Sequence, residues 1–194
     1  MDTQKLDKAF ELFDTYNGRD PKLYTWNDAT YPQELFFALQ VYEWVTKLDP
    51  AASEALLLAS RCQHIGRWEV PRESYPEGKA GYLNWRSNLA KYHAEKAGGL
   101  LADAGFDTDM IDQVTRILLK QQLKTDLEVQ TMENALCLVF LQFEFDAFIQ
   151  KHTDEKVIRI LQKTWNKMTD PGRNAALKLT FSERGTALIT QALS

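Results

Sequence analysis

Apolar residues recur at helical spacing along almost the whole chain, and the gaps between the runs fall on residues that stop helices. Between Thr3 and Tyr16 the apolar positions are Leu6, Phe10 and Leu12-Phe13, and Asn17-Gly18 closes the segment. A loop is expected to follow as far as Tyr31-Pro32. From Pro32, a favoured first-turn residue, the stripe Phe36, Phe37, Val41, Trp44, Val45 and Leu48 predicts an amphipathic helix ending at Asp49-Pro50. Another helix is expected from about Ala51 to His64. Gly66 to Gly78 has no regular period and reads as an ordered loop in which Trp68, Val70 and Tyr75 pack.

Tyr82 to Ala104 reads as a long helix stopped at Gly105, and Asp107-Thr108 opens a shorter one carrying Ile111, Val114, Ile117 and Leu118. Thr125-Asp126 offers an N-cap to a very apolar helix from Val129 to Ile149, with Glu128 placed favourably in its first turn. A helix from about Asp154 to Met168, a break at Asp170-Pro171-Gly172 and two shorter helical segments complete the pattern. No strand-period alternation of useful length and no internal repeat is visible. The expectation is an all-α, single-domain helical bundle over 1–194, with its core over about 32–168 and a helical extension over 169–194.

Composition supports one globular unit. At 194 residues, with 44% hydrophobic and 26% charged residues, the chain can bury one sizeable core. Met1 to Lys8 has no apolar region of signal-peptide type, and no apolar run approaches membrane-spanning length, so a cytoplasmic protein without a membrane partner is expected. Cys62 and Cys137 have apolar neighbours and read as packed, reduced thiols. A net charge of -4 argues against a nucleic-acid partner. The charge is uneven, however. From Arg61 to Lys96 seven basic residues (Arg61, Arg67, Arg72, Lys79, Arg86, Lys91, Lys96) face four acidic ones (Glu69, Glu73, Glu77, Glu95), a local +3 that leaves -7 elsewhere.

Ionisable residues on faces that must be buried are the sharpest signal, because an unpaired buried charge is expensive. Glu34 shares a face with Phe37, Ala38, Val41 and Val45; His93 sits among Leu89, Ala90, Ala97 and Leu100; Glu133 joins Val129, Leu136, Cys137 and Phe140. His64, near a helix end, has a partly apolar setting. A bundle burying all four faces could gather two imidazoles and two carboxylates, a set that suits zinc, iron or manganese. The plainer alternative is a hydrogen-bonded core network. Arg61, Arg67, Arg72 and Arg86, interleaved with Trp68, Tyr75, Tyr82 and Trp85, together with Lys120 and Lys124 at the end of the helix before Glu133, could bind phosphate and stack a base or sugar, or pair with Glu69, Glu73 and Glu77 on a solvated face. His64-Ile65-Gly66-Arg67 and Lys167-Met168-Thr169 superficially match two nucleotide-binding signatures, but the chain lacks the βαβ pattern on which those act.

These residues carry a resemblance. Gln63-His64-Ile65-Gly66-Arg67-Trp68-Glu69-Val70-Pro71-Arg72, Tyr75-Pro76, Gly81-Tyr82-Leu83-Asn84-Trp85-Arg86, His93-Ala94, Cys137-Leu138-Val139-Phe140-Leu141 and Lys163-Thr164-Trp165 resemble an uncharacterised family known as a domain of unknown function, number 4202, over about Phe13 to Leu179. Glu133-Asn134 stands where that family usually has an acidic pair. More distantly, the helices bearing Glu34, His64, His93 and Glu133 are similar to the HD superfamily of helical metal-dependent phosphohydrolases, in which a His, a His-Asp pair and a final Asp hold the metal. Glu34 would stand near the first His, His64-Ile65 or His93-Ala94 at the pair, and Glu133 or Asn134 at the last Asp.

That likeness implies an HD-like domain with a divalent transition metal on Glu34, His64, His93 and Glu133. It implies acid–base work by His64, His93 and Glu133, and a phosphorylated small molecule or nucleotide held by Arg67, Arg72, Arg86 and Lys124. The rival expectation is a non-catalytic binding or scaffold domain with a buried polar network. A third is RNA binding through Arg61 to Lys96.

Overall fold

The computed structural model describes residues 2–194 and is mostly helical. Side chains that reach back to backbone N–H groups fix where several helices begin. Asp2 caps α1 (Thr3–Asn17) by accepting from the N–H groups of Gln4 and Lys5. Ser53 caps α3 (Glu54–Cys62) through Leu56 N–H, and Asp107 caps α5 (Thr108–Leu118) through Met110 N–H. Asp126 caps α6 (Leu127–Val139) through the N–H groups of Glu128 and Val129, as the sequence predicted. Between these lie α2 (Gln33–Leu48) and the long α4 (Gly78–Ala104), which stops where Gly105 adopts φ +93°. The chain closes with α7 (Phe145–Ile149), α8 (Asp154–Lys167), α9 (Asp170–Ala176) and α10 (Glu183–Leu193).

Four features depart from the expected pattern. The segment expected to loop as far as Pro32 contains a hairpin, β1 (Leu23–Trp26) paired antiparallel with β2 (Ala29–Pro32). Its turn places Asn27 and Asp28 at φ 49° and 64°, the left-handed pair that a two-residue hairpin turn requires. Strands of four residues with no fully buried face leave little alternation to read. Second, α3 ends at Cys62, so His64 lies in the turn beyond it. Third, the apolar helix is interrupted by a π-helical turn over Phe140–Glu144. Trp26 packs edge-on against Phe143 at 4.9 Å, and Tyr24 Oη donates to the Phe143 carbonyl at 2.5 Å, so the hairpin lies on that turn. Fourth, Asp170-Pro171-Gly172 forms the first turn of α9, where a proline is tolerated, and does not break the chain.

Buried apolar side chains form two clusters. The larger gathers Leu6, Phe13, Phe36, Val45, Leu56, Leu101, Ile117 and Met132 from α1 to α6. The smaller gathers Leu138, Phe145, Ile149, Val157, Leu161 and Leu188 from the end of α6 through α10. Trp44 and Leu48 of α2 pack against both. The helix α2 lies along α6, and both line the polar cavity described below. No helix among the described residues is long and apolar enough to cross a membrane.

The cap on α6 matters because Asp126 also pairs with Arg116 of α5. Asp126→Ala is expected to lower unfolding free energy by about 1–2 kcal/mol, measured by urea denaturation, with the helical circular dichroism of the native state unchanged.

Candidate functional site

The site begins with the turn that follows α3. Gly66 sits at φ +66°, and a Cβ there would lie 2.9 Å from Tyr92 Oη and 3.1 Å from Tyr16 Cε1, so only glycine fits. Glu69, just beyond, accepts from Tyr16 Oη at 2.6 Å and from Tyr92 Oη, which ties the turn to α1 and α4. Held in this way, the turn presents the Ile65 carbonyl to α4. His93 Nδ1 lies 2.7 Å from that oxygen.

These elements surround a cavity of about 740 Å³ between α2, the end of α3, α4, the end of α5, α6 and α8. Its floor is buried: Glu34, Gln63, His93 and Glu133 are each no more than 5% exposed. His64 is half-buried beside His93, with ring centroids 5.8 Å apart. Arg67, Arg86, Lys120 and Lys167 line the more open walls, with Tyr82, Trp85, Phe140 and Phe148 between them, and Glu144 of the π turn is exposed at the mouth.

A carbonyl can only accept, so His93 Nδ1 carries its proton and Nε2 is a bare acceptor. That Nε2 is buried and has no partner. Burial draws the His93 pKa down to about 4; the Ile65 hydrogen bond opposes the shift and Arg67 adds to it. His64 also lies well below the usual histidine range, first through burial and then through Arg67, His93, Lys120 and Arg86. Both imidazoles are therefore neutral near pH 7.

The carboxyls behave in opposite ways. Burial raises Glu34 to about 7, although Arg67 Nε stands 3.9 Å from Oε1 and Gln33 Nε2 donates to Oε1 at 3.5 Å. Burial would raise Glu133 too, but Lys120 and Lys167, the latter 3.4 Å away, outweigh it and hold this carboxylate below its ordinary range. Burial, reinforced by Glu133, pushes the Cys137 thiol up to about 12, and burial raises Cys62 further still. Neither cysteine is a nucleophile at neutral pH.

The structure thus brings Glu34, His64, His93 and Glu133 to one cavity. They do not form a ligand set: among the described residues no three His, Cys, Asp or Glu side chains come together in a group able to hold a metal ion. Glu133 is shared by two ammonium groups and Glu34 faces a guanidinium, which leaves the two imidazoles as neighbours. Asn134 turns elsewhere, its amide closing on Thr169 through both Nδ2 and Oδ1 at 2.8 and 3.0 Å.

Of the expected phosphate ligands, Arg67 and Arg86 line the cavity. Arg72 donates instead to the carbonyls of Tyr75 and Pro76, both at 2.9 Å, closing its own loop, and Lys124 is exposed on the turn after α5. Lys120 and Lys167 stand where those two were expected. Lys120 was legible beside Lys124 at the end of the helix before Glu133, whereas Lys167, at the end of α8, has no apolar face to mark it. Gln63, inside the helix expected to run to His64, and Glu144, which the π turn carries to the mouth, also went unrecognised as cavity residues.

The model of one protein family, described as Domain of unknown function (DUF4202), matches residues 7–189. The chain belongs to that family. No curated protein and no solved structure matches it. The matched span of this family member includes every residue named above as lining the cavity.

The two buried titrations oppose each other. Glu34 has a raised folded pKa, so its contribution is full below about 4.5 and is lost as pH rises through 7; His93 has a depressed one, so its contribution is present above about 6.5 and is lost as pH falls through 4. Glu34→Gln is therefore expected to be more stable than the native protein at pH 8, by on the order of 2 kcal/mol, and to match it at pH 5. Urea denaturation at the two pH values measures this.

Proposed function

We propose that the protein binds a phosphorylated small molecule or nucleotide in this cavity. The observation behind the reading is that four cations from four separate segments meet there: Arg67 from the turn, Arg86 from α4, Lys120 from the end of α5 and Lys167 from α8. Three carboxyl groups line the same space. Even if all three were ionised the cations would be in excess, and Glu34 is about half protonated at neutral pH. Among the described residues Arg86 has no carboxylate partner; its guanidinium lies over Tyr82, 5.9 Å from the ring centre, and donates to Tyr82 Oη at 3.4 Å. The Arg67 guanidinium lies over Trp85 at 5.7 Å. Guanidinium groups braced on aromatic rings are held in place and can offer two donors side by side to the oxygens of a phosphate group.

The catalytic form of this reading is a degenerate HD-like phosphohydrolase. His93 supplies a neutral acceptor held in one tautomer by Ile65, and Glu34, with a pKa near 7, can give or take a proton, the property wanted of an acid–base group. The cations would neutralise charge on the phosphoryl oxygens as the bond to the leaving group breaks. A divalent metal is part of the chemistry of that superfamily. The residues gathered here offer it two imidazoles, with Glu133 held between two lysines and Glu34 facing Arg67, so the acid–base groups are the chemistry this chain supplies.

One observation favours the non-catalytic alternative. Glu133 with its two lysines, and Asn134 with Thr169, are satisfied pairs of the kind that specify a core. A pure scaffold predicts that no phosphate compound binds.

Thermal denaturation with pyrophosphate, AMP or ATP, each against chloride at matched ionic strength, separates the two readings. At least one phosphate compound is expected to raise the Tm by several degrees at saturating concentration. Arg86→Gln is expected to weaken that ligand about tenfold or more, with the Tm of the free protein nearly unchanged. The reading fails if none of the three raises the Tm above the chloride control.

A further inference from the structure

The floor of the cavity differs chemically from its walls. The walls carry the cations, whereas the buried floor carries acceptors that the protein leaves open. His93 Nε2 and Gln63 Oε1 are both buried without a hydrogen-bond partner, on residues 3% and 5% exposed. Glu34, 4% exposed, has only a long contact from Gln33 at 3.5 Å and Arg67 at 3.9 Å. Three incompletely satisfied polar groups, contributed by α2, the end of α3 and α4, line one space. A buried acceptor left unsatisfied has lost its water and gained nothing in return. A ligand that supplied the missing donors would recover this.

We infer that the ligand is a phosphorylated polyol, seated with its hydroxyl groups on Gln63, His93 and Glu34 and its phosphate among Arg67, Arg86 and Lys120. This inference rests on the phosphate reading above and narrows its ligand. An amine would also bring donors, but its positive charge would enter a cavity already holding four cations. A hydroxyl is uncharged, so the cations do not oppose it. It also both donates and accepts, which matches a mixed floor: a bare imidazole nitrogen, an amide with an acceptor and a donor end, and a carboxyl present in both protonation states near neutral pH. At about 740 Å³ the cavity is within the usual range for a small-molecule site. The polyol can be a free sugar phosphate or the ribose of a nucleotide; the hydroxyl chemistry is the same.

The test compares calorimetric affinities of the full chain for ribose 5-phosphate, methyl phosphate and AMP. Ribose 5-phosphate is expected to bind at least tenfold more tightly than methyl phosphate, which carries the same charge and no hydroxyl groups. Gln63→Leu, checked for native circular dichroism, is expected to remove most of that advantage while methyl phosphate binds as before. AMP binding as tightly as ribose 5-phosphate assigns the hydroxyls to a nucleotide's ribose; much weaker AMP binding assigns them to a free sugar phosphate. Equal affinity for ribose 5-phosphate and methyl phosphate overturns the polyol inference and leaves the phosphate reading standing. No binding by any of the three, together with no response to pyrophosphate, overturns both. The comparison within the native protein holds even if Gln63→Leu does not fold.

Discussion

The hydrogen bond from His93 Nδ1 to the Ile65 carbonyl joins the end of α3 to the middle of α4, and the cavity takes its form around it. The imidazole is fixed in one tautomer because a carbonyl offers no proton, and its other nitrogen is left bare. The bond exists because Gly66 can turn the chain at φ +66° in a space that admits no Cβ. Asn17 and Glu69 then fasten the turn, through Gly66 N–H and through Tyr16 and Tyr92. The same turn brings Gln63, His64 and Arg67 to the cavity, so one small piece of irregular backbone supplies three of its polar side chains.

Around that point the buried polar groups divide into two kinds. Glu133 with Lys120 and Lys167, and Asn134 with Thr169, satisfy one another and hold helices in register, while Asp14 and Arg61 pair across α1 and α3 but each keeps one buried atom without a partner. His93 Nε2, Gln63 Oε1 and Glu34 are left short of partners in a region open to a ligand. A core that only needed specificity would pair every member, since a partly satisfied network is costlier than an apolar one. Of the groups left open, those that share the cavity bear on a ligand, and the paired ones bear on stability.

Most of the helical frame was legible from the sequence because it rests on apolar period and on caps. Asp107 and Asp126 do cap α5 and α6, and Gly105 does end α4. Burial of Glu34, His93 and Glu133 was also legible, since each shares a face with aliphatic residues, and His64 proved as partly buried as its helix-end position suggested. What periodicity could not convey was pairing. Nothing in the spacing of Glu133 shows that Lys120 and Lys167, 13 and 34 residues away in sequence, neutralise it. Arg72 and Arg86 look alike in a basic run, yet one is consumed by the carbonyls of its own loop and the other reaches the cavity with only a long contact to Tyr82 Oη. The hairpin and the π turn escaped for a related reason: both are set by contacts between Trp26, Tyr24 and Phe143, remote in sequence.

Four cations beside two neutral imidazoles would make the cavity an anion site, and the chain's own histidines can report on it. His64 and His93 line the cavity, while His152 follows α7 and stacks on Phe148 with centroids 4.3 Å apart. In a nitrogen-15 NMR titration with pyrophosphate, His64 is expected to move toward a higher pKa as the charge of Arg67, Lys120 and Arg86 is neutralised, His93 to shift as the neutral Nδ1–H tautomer, and His152 to stay nearly still. Equal responses from all three histidines, or none from His64 and His93, would contradict the account.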